Sequence, residues 1–252
     1  MNHKIAIVTG GSRGLGKNTA LRLASKGVDV IITYHSKREE ADKVIAEIEA
    51  AGAKAVALQL DVSQSKTFVE FAANVKAILQ SKWQRDSFDY LVNNAGTGIN
   101  TPFLETSEEQ FDQMVNIHLK GVYFLTQKLV GLMADGGSIV NISSGLTRFS
   151  FPGYSAYAIM KGAIETLSKY LAKELGARGI NVNTVAPGAI ETDFGGGAVR
   201  DNKELNDHIA SLTALGRVGV PNDIGGVIAS VLSDDNRWVN GQRIEASGGM
   251  MI

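Results

Sequence analysis

One unit recurs along this chain: a short run of apolar residues, a turn, and a helix with a single apolar face. Residues 4–8 read as a buried strand and 14–26 as the helix that follows it. Residues 28–33 form a second strand, after which Ala41, Val44, Ile45 and Ile48 fall on one helical face. Residues 53–59 form a third strand, followed by Phe68, Phe71, Ala72, Val75 and Leu79 on another helical face. A fourth strand at 88–92 precedes a long helix over 107–133, a strand at 138–142, a helix over 155–176 and a strand at 180–186. Two short helices and a last strand near 243–246 complete the chain. Strands apolar throughout, alternating with long helices, require a parallel sheet covered on both faces. The expected fold is therefore α/β: a doubly wound parallel sheet with helices on both faces, in a single domain over residues 1–252 with no linker or internal repeat.

Composition excludes other classes. With 44 % apolar residues the chain is not disordered, and a net charge of −1 offers no field to recruit nucleic acid or a membrane surface. There is no Cys, and the four His residues (His3, His35, His118, His208) show no ligand spacing, so no metal site is expected. No apolar run approaches the ~20 residues of a membrane span. The first residues enter a strand without a signal-peptide segment, and the expected location is cytoplasmic. Glycine, at 28 of 252 residues, exceeds the usual ~7 %.

Part of that excess lies in Thr9-Gly10-Gly11-Ser12-Arg13-Gly14-Leu15-Gly16, where the first strand turns into the first helix. Such a turn needs backbone that only glycine adopts freely, and the helix N-terminus offers N–H groups to a pyrophosphate. Its place in the first βα turn points to a dinucleotide-binding (Rossmann) sheet, although the spacing is G-x-x-x-G-x-G, not the common G-x-G-x-x-G. An acid at the end of strand two would select NAD. This chain instead has Thr33-Tyr34-His35-Ser36-Lys37-Arg38, and its first acid there is Glu39. With Arg13, that favours NADP(H) over NAD(H), the alternative being that Lys37 and Arg38 merely start a solvated helix.

Tyr157 and Lys161 stand at i and i+4, one helix face carrying a phenol and an ammonium. A cation beside a tyrosine lowers its pKa from ~10 towards the operating range. Ser143-Ser144 follows an apolar strand, where a hydroxyl can hold a substrate oxygen. Each pattern alone is common, as an exposed helix pair or a turn-forming serine.

Together, Thr9-Gly10-x3-Gly14-x-Gly16, Asn93-Asn94-Ala95-Gly96, Asn116, Ser144, Tyr157-x3-Lys161 and Pro187-Gly188 resemble, in order and spacing, the short-chain dehydrogenase/reductase family of the classical type. The resemblance covers essentially the whole chain and is nearest to 3-oxoacyl-acyl carrier protein reductases and related keto-reductases. It implies that Tyr157 is the general acid in reduction, that Lys161 lowers its pKa and binds the nicotinamide ribose, and that Ser144 holds the carbonyl. Asn116 would join Lys161 to a water-mediated proton relay. Gly10, Ser12, Arg13, Gly14, Leu15 and Gly16 would line the phosphates and adenosine, with His35 and Ser36 near the 2′ position. Asp61 and Val62 would contact the adenine and Asn94 the adenosine ribose. Gly96, Pro187, Gly188 and Thr192 would border the cofactor, with Ile190 at the carboxamide.

The expected function is an NADPH-dependent reduction of a ketone or 3-oxoacyl carbonyl. The alternatives are an NAD(P)-dependent alcohol or sugar dehydrogenase working oxidatively, and a non-catalytic NADP-sensing protein. Residues 188–203, with Gly195-Gly196-Gly197, are expected to form a mobile substrate loop, and Thr97, Leu146, Tyr154 and Phe194 to line the pocket. The expected partners are a small carbonyl or alcohol substrate and, by resemblance, three further copies in a homotetramer. An acyl carrier protein is possible; it would call for a basic rim, which the net charge of −1 neither supports nor excludes.

Overall fold

The computed structural model describes residues 3–252. Its strands are β1 (Ile5–Val8), β2 (Asp29–Tyr34), β3 (Ala55–Gln59), β4 (Phe88–Asn93), β5 (Met133–Ile142), β6 (Asn181–Pro187) and β7 (Arg243–Ala246). The helices are α1 (Gly14–Ala24), α2 (Arg38–Ala50), α3 (Phe68–Ile78), α4 (Glu108–Met114), α5 (Gly121–Leu129), α6 (Ser155–Glu174), α7 (Ala198–Asp201), α8 (Lys203–Ser211) and α9 (Pro221–Val231).

All seven strands pair in parallel, in the order β3-β2-β1-β4-β5-β6-β7. Ile7 of β1 stands beside Ile31 of β2 on one side and Leu91 of β4 on the other. Winding starts at β1 and runs outward both ways, so the connections leaving β1 and β4 part company and open a crevice at the carboxyl ends of those strands.

The side-chain period of two divides the strands between two cores. Ile5, Ile7, Ile31, Leu91 and Ile139 face Phe68, Phe71 and Val75 of α3 and Leu125 and Leu129 of α5. Ala6, Val8, Ile32, Val92 and Val140 face Ala20 and Leu23 of α1, Val44 and Ile48 of α2, and Ile224 and Ile228 of α9. Each such Ile, Leu or Phe contributes about 1.5–3 kcal/mol on burial, which explains why the central strands are predominantly apolar. At the sheet's other end the buried Asp29 accepts from Lys54 N–H (2.7 Å) and Trp83 Nε1 (2.8 Å). Buried Asp89 accepts from Ile5 N–H (2.8 Å) and Arg85 (2.9 Å), so both acids tie strand ends together, away from the crevice.

The structure departs from the expected elements in two places. The single helix expected over 107–133 is broken: α4 passes into a π-helical turn, Val115–Lys120, and α5 then ends in a 3₁₀ turn before β5 begins at Met133. A Cβ at Gly121 would overlap the Val62 carbonyl oxygen, and the Gly121 N–H reaches back to Asn116 O. Glycine thus lets the loop after β3 press on the helix exactly where its pitch widens. Between β6 and β7 lie three helices, since α7 adds a single turn within the loop region.

Candidate active site

The glycine turn is built by its neighbours as much as by its own residues. Gly10 and Gly14 hold φ of +64° and +54°, in the left-handed region. Thr9 Oγ1 accepts the N–H groups of Asn94 (2.9 Å) and Ala95 (3.0 Å), and Asn94 Nδ2 donates to Thr9 O (2.8 Å). Asn94 therefore clamps the turn to the end of β4. A Cβ on Gly16 would overlap Gly10 O and stand 2.5 Å from Asn94 Nδ2. No side chain caps α1 and no acid lies in its first turn, which leaves N–H groups and the positive dipole end open to an anion. Ser12 is half-buried there, Arg13 is exposed, and Leu15 packs on the core. This donor set, with no Cβ in the way, fits a dinucleotide pyrophosphate.

The opposite rim comes from the end of β6. Gly188 follows Pro187 closely beside Ser247, whose Cα would be 2.9 Å from a Cβ at Gly188. Ile190 bridges in parallel to Gly219, and the Thr192 methyl approaches Gly14 across the crevice, 3.7 Å from where its Cβ would stand.

At the end of β2, His35 and Ser36 are exposed and no carboxylate follows the strand directly. One does arrive from β3, where Asp61 Oδ2 lies 3.5 Å from His35 Nε2. Partial burial pushes Asp61 upward, but the Ser63 hydroxyl and N–H, with His35, hold it below the ordinary carboxylate value. Val62 beside it packs on the core around α3. Lys37 pairs with Glu40 (3.2 Å) and Arg38 with Asp42 (2.9 Å), so both are occupied along their own helix, as a solvated helix start would be. Arg13 lies 3.7 Å from Asp193 in the loop after β6.

Ser144 stands just beyond β5, and α6 lays Tyr157 and Lys161 against it, all three buried. Burial raises the Tyr157 pKa, against a lowering by the Ser144 hydroxyl, with Tyr154 adding to the rise. Lys161 Nζ donates to Ile142 O at 2.7 Å and sits 5.5 Å from the centre of the Tyr157 ring. The expected lowering of the phenol by Lys161 is not seen here: burial raises it, and the phenol is protonated at neutral pH. Burial lowers Lys161 to about 7. Between that pH and the ordinary lysine value the unfolded chain binds a proton that the folded chain lacks, so wild-type stability rises with pH across this window. Lys161→Met removes that dependence. Its melting temperature minus that of wild type is expected to fall steadily from pH 7 to pH 10 in calorimetry, and a constant difference would contradict a buried, depressed Lys161.

Side chains that the sequence reading passed over hold this cluster. Glu165, one turn beyond Lys161 on the same face of α6, accepts from Ser143 Oγ, Thr147 Oγ1 and Arg243 Nε, each at 2.7 Å. Arg243 of β7 also donates to Ser144 O (3.3 Å). Glu165 was recoverable from its i+4 spacing to Lys161; Arg243 lies 78 positions further along and was not. Phe194 of the loop after β6 lies over Tyr157, ring centres 5.5 Å apart, and the loop carries three successive left-handed glycines, Gly195–Gly197. Asn116 is half-buried in the π-helical turn with its carbonyl engaged by Gly121. His118 of that turn meets the Tyr157 ring edge-on, at 5.1 Å between ring centres and an interplanar angle of 88°. No described helix is long and apolar enough to cross a membrane.

A family model described as enoyl-(acyl carrier protein) reductase matches residues 10–251. The chain is 36 % identical over 251 residues to the 3-oxoacyl-[acyl-carrier-protein] reductase FabG of Staphylococcus aureus, covering 99 % of this chain and 98 % of that one. Among solved structures, the promiscuous reductase LugOII, which catalyses keto-reduction at C1 during lugdunomycin biosynthesis, aligns at a TM-score of 0.93 and 38 % identity over 99 % of this chain and 98 % of its own. The angucycline C-6 ketoreductase LanV with bound NADP aligns at 0.93 and 34 % identity, over 98 % and 95 %. Likeness of this extent runs through the whole sheet and both rims of the crevice, and by it the chain belongs to the short-chain dehydrogenase/reductase family of oxidoreductases.

Proposed function

We propose that this protein reduces the carbonyl of a ketone or 3-oxoacyl substrate with NADPH, Tyr157 acting as general acid. The observation that carries this reading is the burial together of Ser144, Tyr157 and Lys161 beyond the carboxyl end of β5, with Lys161 Nζ 5.5 Å from the centre of the Tyr157 ring. When bound, the nicotinamide supplies the hydride. The glycine turn from Gly10 to Gly16 would hold the pyrophosphate; Asn94, Gly96, Pro187, Gly188, Ile190 and Thr192 would border the rest of the cofactor, and Asp61 and Val62 the adenine. His35, Ser36 and Arg13 are the groups available to a 2′-phosphate, and the NADP bound by LanV is in keeping with that choice.

Ser144 and Tyr157 present two hydroxyls to one substrate oxygen. As negative charge develops on that oxygen, Tyr157 gives up its proton, which burial has kept in place until then. Lys161 stabilises the phenolate left behind. Leu146, Phe151, Tyr154 and Ala158 line a cleft beside this group, and with Phe194 they offer an apolar wall to the substrate. The same reading expects a homotetramer, supported by exposed Phe111, Tyr123 and Phe124 on α4 and α5 and Ile159 and Tyr170 on α6.

Purified protein assayed with NADPH and with NADH against ketones, 3-oxoacyl thioesters and ketoses tests this. Oxidation of NADPH by at least one class is expected, at about tenfold or more the kcat/KM found with NADH, equivalent to about 1.4 kcal/mol. Equal use of both cofactors would remove the 2′-phosphate assignment. Consumption of neither would favour a binding protein.

A further inference from the structure

We propose that Asn141 and Ser168 are positioning residues: their buried hydrogen bond fixes how far helix α6 sits along strand β5, and so sets Tyr157 and Lys161 against Ser144. This rests on the reading of those three residues as the reacting set.

Both side chains are buried, Asn141 in β5 and Ser168 in α6. Asn141 lies two residues beyond Ile139 and so points to the same face of the sheet, into the apolar core around α3 and α5. There its Nδ2 donates to Ser168 Oγ at 2.9 Å. Ser168 donates in turn to Ile164 O, one turn back in α6, at 2.8 Å, which leaves the lone pairs of its hydroxyl to Asn141. The amide is held from its other side as well. Asn93 stands beside Asn141 across the sheet, and its Nδ2 donates to Asn141 Oδ1 at 2.8 Å and to Thr126 Oγ1 of α5 at 2.9 Å. The donors thus run one way, from β4 through β5 into α6.

Stability does not call for such a chain. Apolar side chains of similar size would be buried there with no polar group to match. The chain even leaves Asn93 Oδ1 buried with no partner among the described residues. What polar groups add within an apolar layer is register. Packing between apolar surfaces selects a helix face but has no direction along the axis. A slide of one residue, about 1.5 Å, would part Asn141 from Ser168 and leave a buried amide donor unmatched.

The spacing carries that register to the site. Ser144 is three residues beyond Asn141, about 10 Å along a strand. Lys161 is seven residues before Ser168, about 10 Å along a helix and on the same face. The two intervals match, so a shift at Ser168 reappears undiminished at Lys161. There Lys161 Nζ donates to the carbonyl of Ile142, the residue next to Asn141, at 2.7 Å. A misplacement of about 1 Å between reacting groups can cost about 100-fold in rate.

The test compares Ser168→Thr with Ser168→Val, using NADPH and the most active carbonyl of the panel. The two side chains share a shape, so any crowding by the added methyl is common to both and the hydroxyl is what differs. Ser168→Thr is expected to keep kcat within about threefold of wild type. Ser168→Val is expected to lower kcat about 10- to 100-fold with the KM for NADPH unchanged, because Asn93 and the glycine turn are untouched. A purely structural pair would lower the melting temperature and leave kcat alone. Wild-type kcat in Ser168→Val therefore overturns the proposal whatever its stability, as do equal losses in both variants. A crystal structure of Ser168→Val gives a readout without turnover: α6 is expected to shift along β5 by about 1 Å, and an unmoved α6 also overturns the proposal. Should either variant not fold, Ser168→Ala, which removes the oxygen and adds nothing, decides by the same two measurements. Tyr157→Phe run in parallel separates the two readings, because full activity there removes the general acid itself, whatever Ser168 does.

Discussion

Tyr157→Phe is expected to fold and bind NADPH like wild type while kcat falls by about 10²–10⁴, the usual contribution of a positioned general acid. That corresponds to about 3–5 kcal/mol of transition-state stabilisation. The change removes one oxygen and leaves the ring, with its contacts to His118 at 5.1 Å and Phe194 at 5.5 Å. Ser144 loses the phenol but still accepts the Leu146 N–H at 3.2 Å. Packing and the Ser144 turn are therefore preserved, and the loss falls on the chemical step. Steady-state kinetics with NADPH fluorescence titration measures both halves of the expectation. A kcat within about threefold of wild type would show that another group, or water, protonates the substrate oxygen.

Gly16→Ala acts at the other end of the crevice and is expected to damage both fold and cofactor binding. The new methyl overlaps the Gly10 carbonyl oxygen and crowds Asn94 Nδ2, and neither can step aside. Gly10 is held at φ +64° within the turn, and Asn94 is tied to Thr9 by two hydrogen bonds of 2.8–2.9 Å. The start of helix α1 must then move away from Gly10 and Asn94, which also moves the N–H groups that the proposed function assigns to the pyrophosphate. Overpacking against yielding side chains costs about 1–3 kcal/mol, and a backbone collision lies at or above the top of that range. A drop in melting temperature of several degrees and at least a tenfold weaker NADPH affinity are expected. Gly226→Ala in α9 is the control: nothing lies within 4 Å of its Cβ position, and loss of a helical glycine should stabilise by up to about 1 kcal/mol. A Gly16→Ala protein that binds NADPH normally would show that the turn is not the pyrophosphate cradle.

Much of this architecture is legible in the chain because the relevant signals are short-range. Ile5–Val8 announces two-sided burial by being apolar at every position, and β7 falls at its expected place, Arg243–Ala246. The glycine turn is contiguous, and Tyr157 and Lys161 share one helix, so their spacing alone places them together. Helix phase is less secure. The π-helical turn at Val115–Lys120 inserts an offset that a regular 3.6-residue period does not anticipate, and within it His118 meets the Tyr157 ring.

What the sequence by itself determined was the alternation of strands and helices, the glycine turn after β1 and the nearness of Tyr157 to Lys161, since each depends on residues near one another in the chain or on a pattern of burial. Tertiary structure alone decided the surroundings of those groups. It set Asp61 beside His35 after β2, joined Glu165 to Arg243 behind Ser144, and enclosed His118 between Gly96, Thr97 and Tyr157. These neighbours come from separate strands, helices and loops. Their charges and hydrogen bonds exist only where packing has brought them within a few ångströms and excluded water.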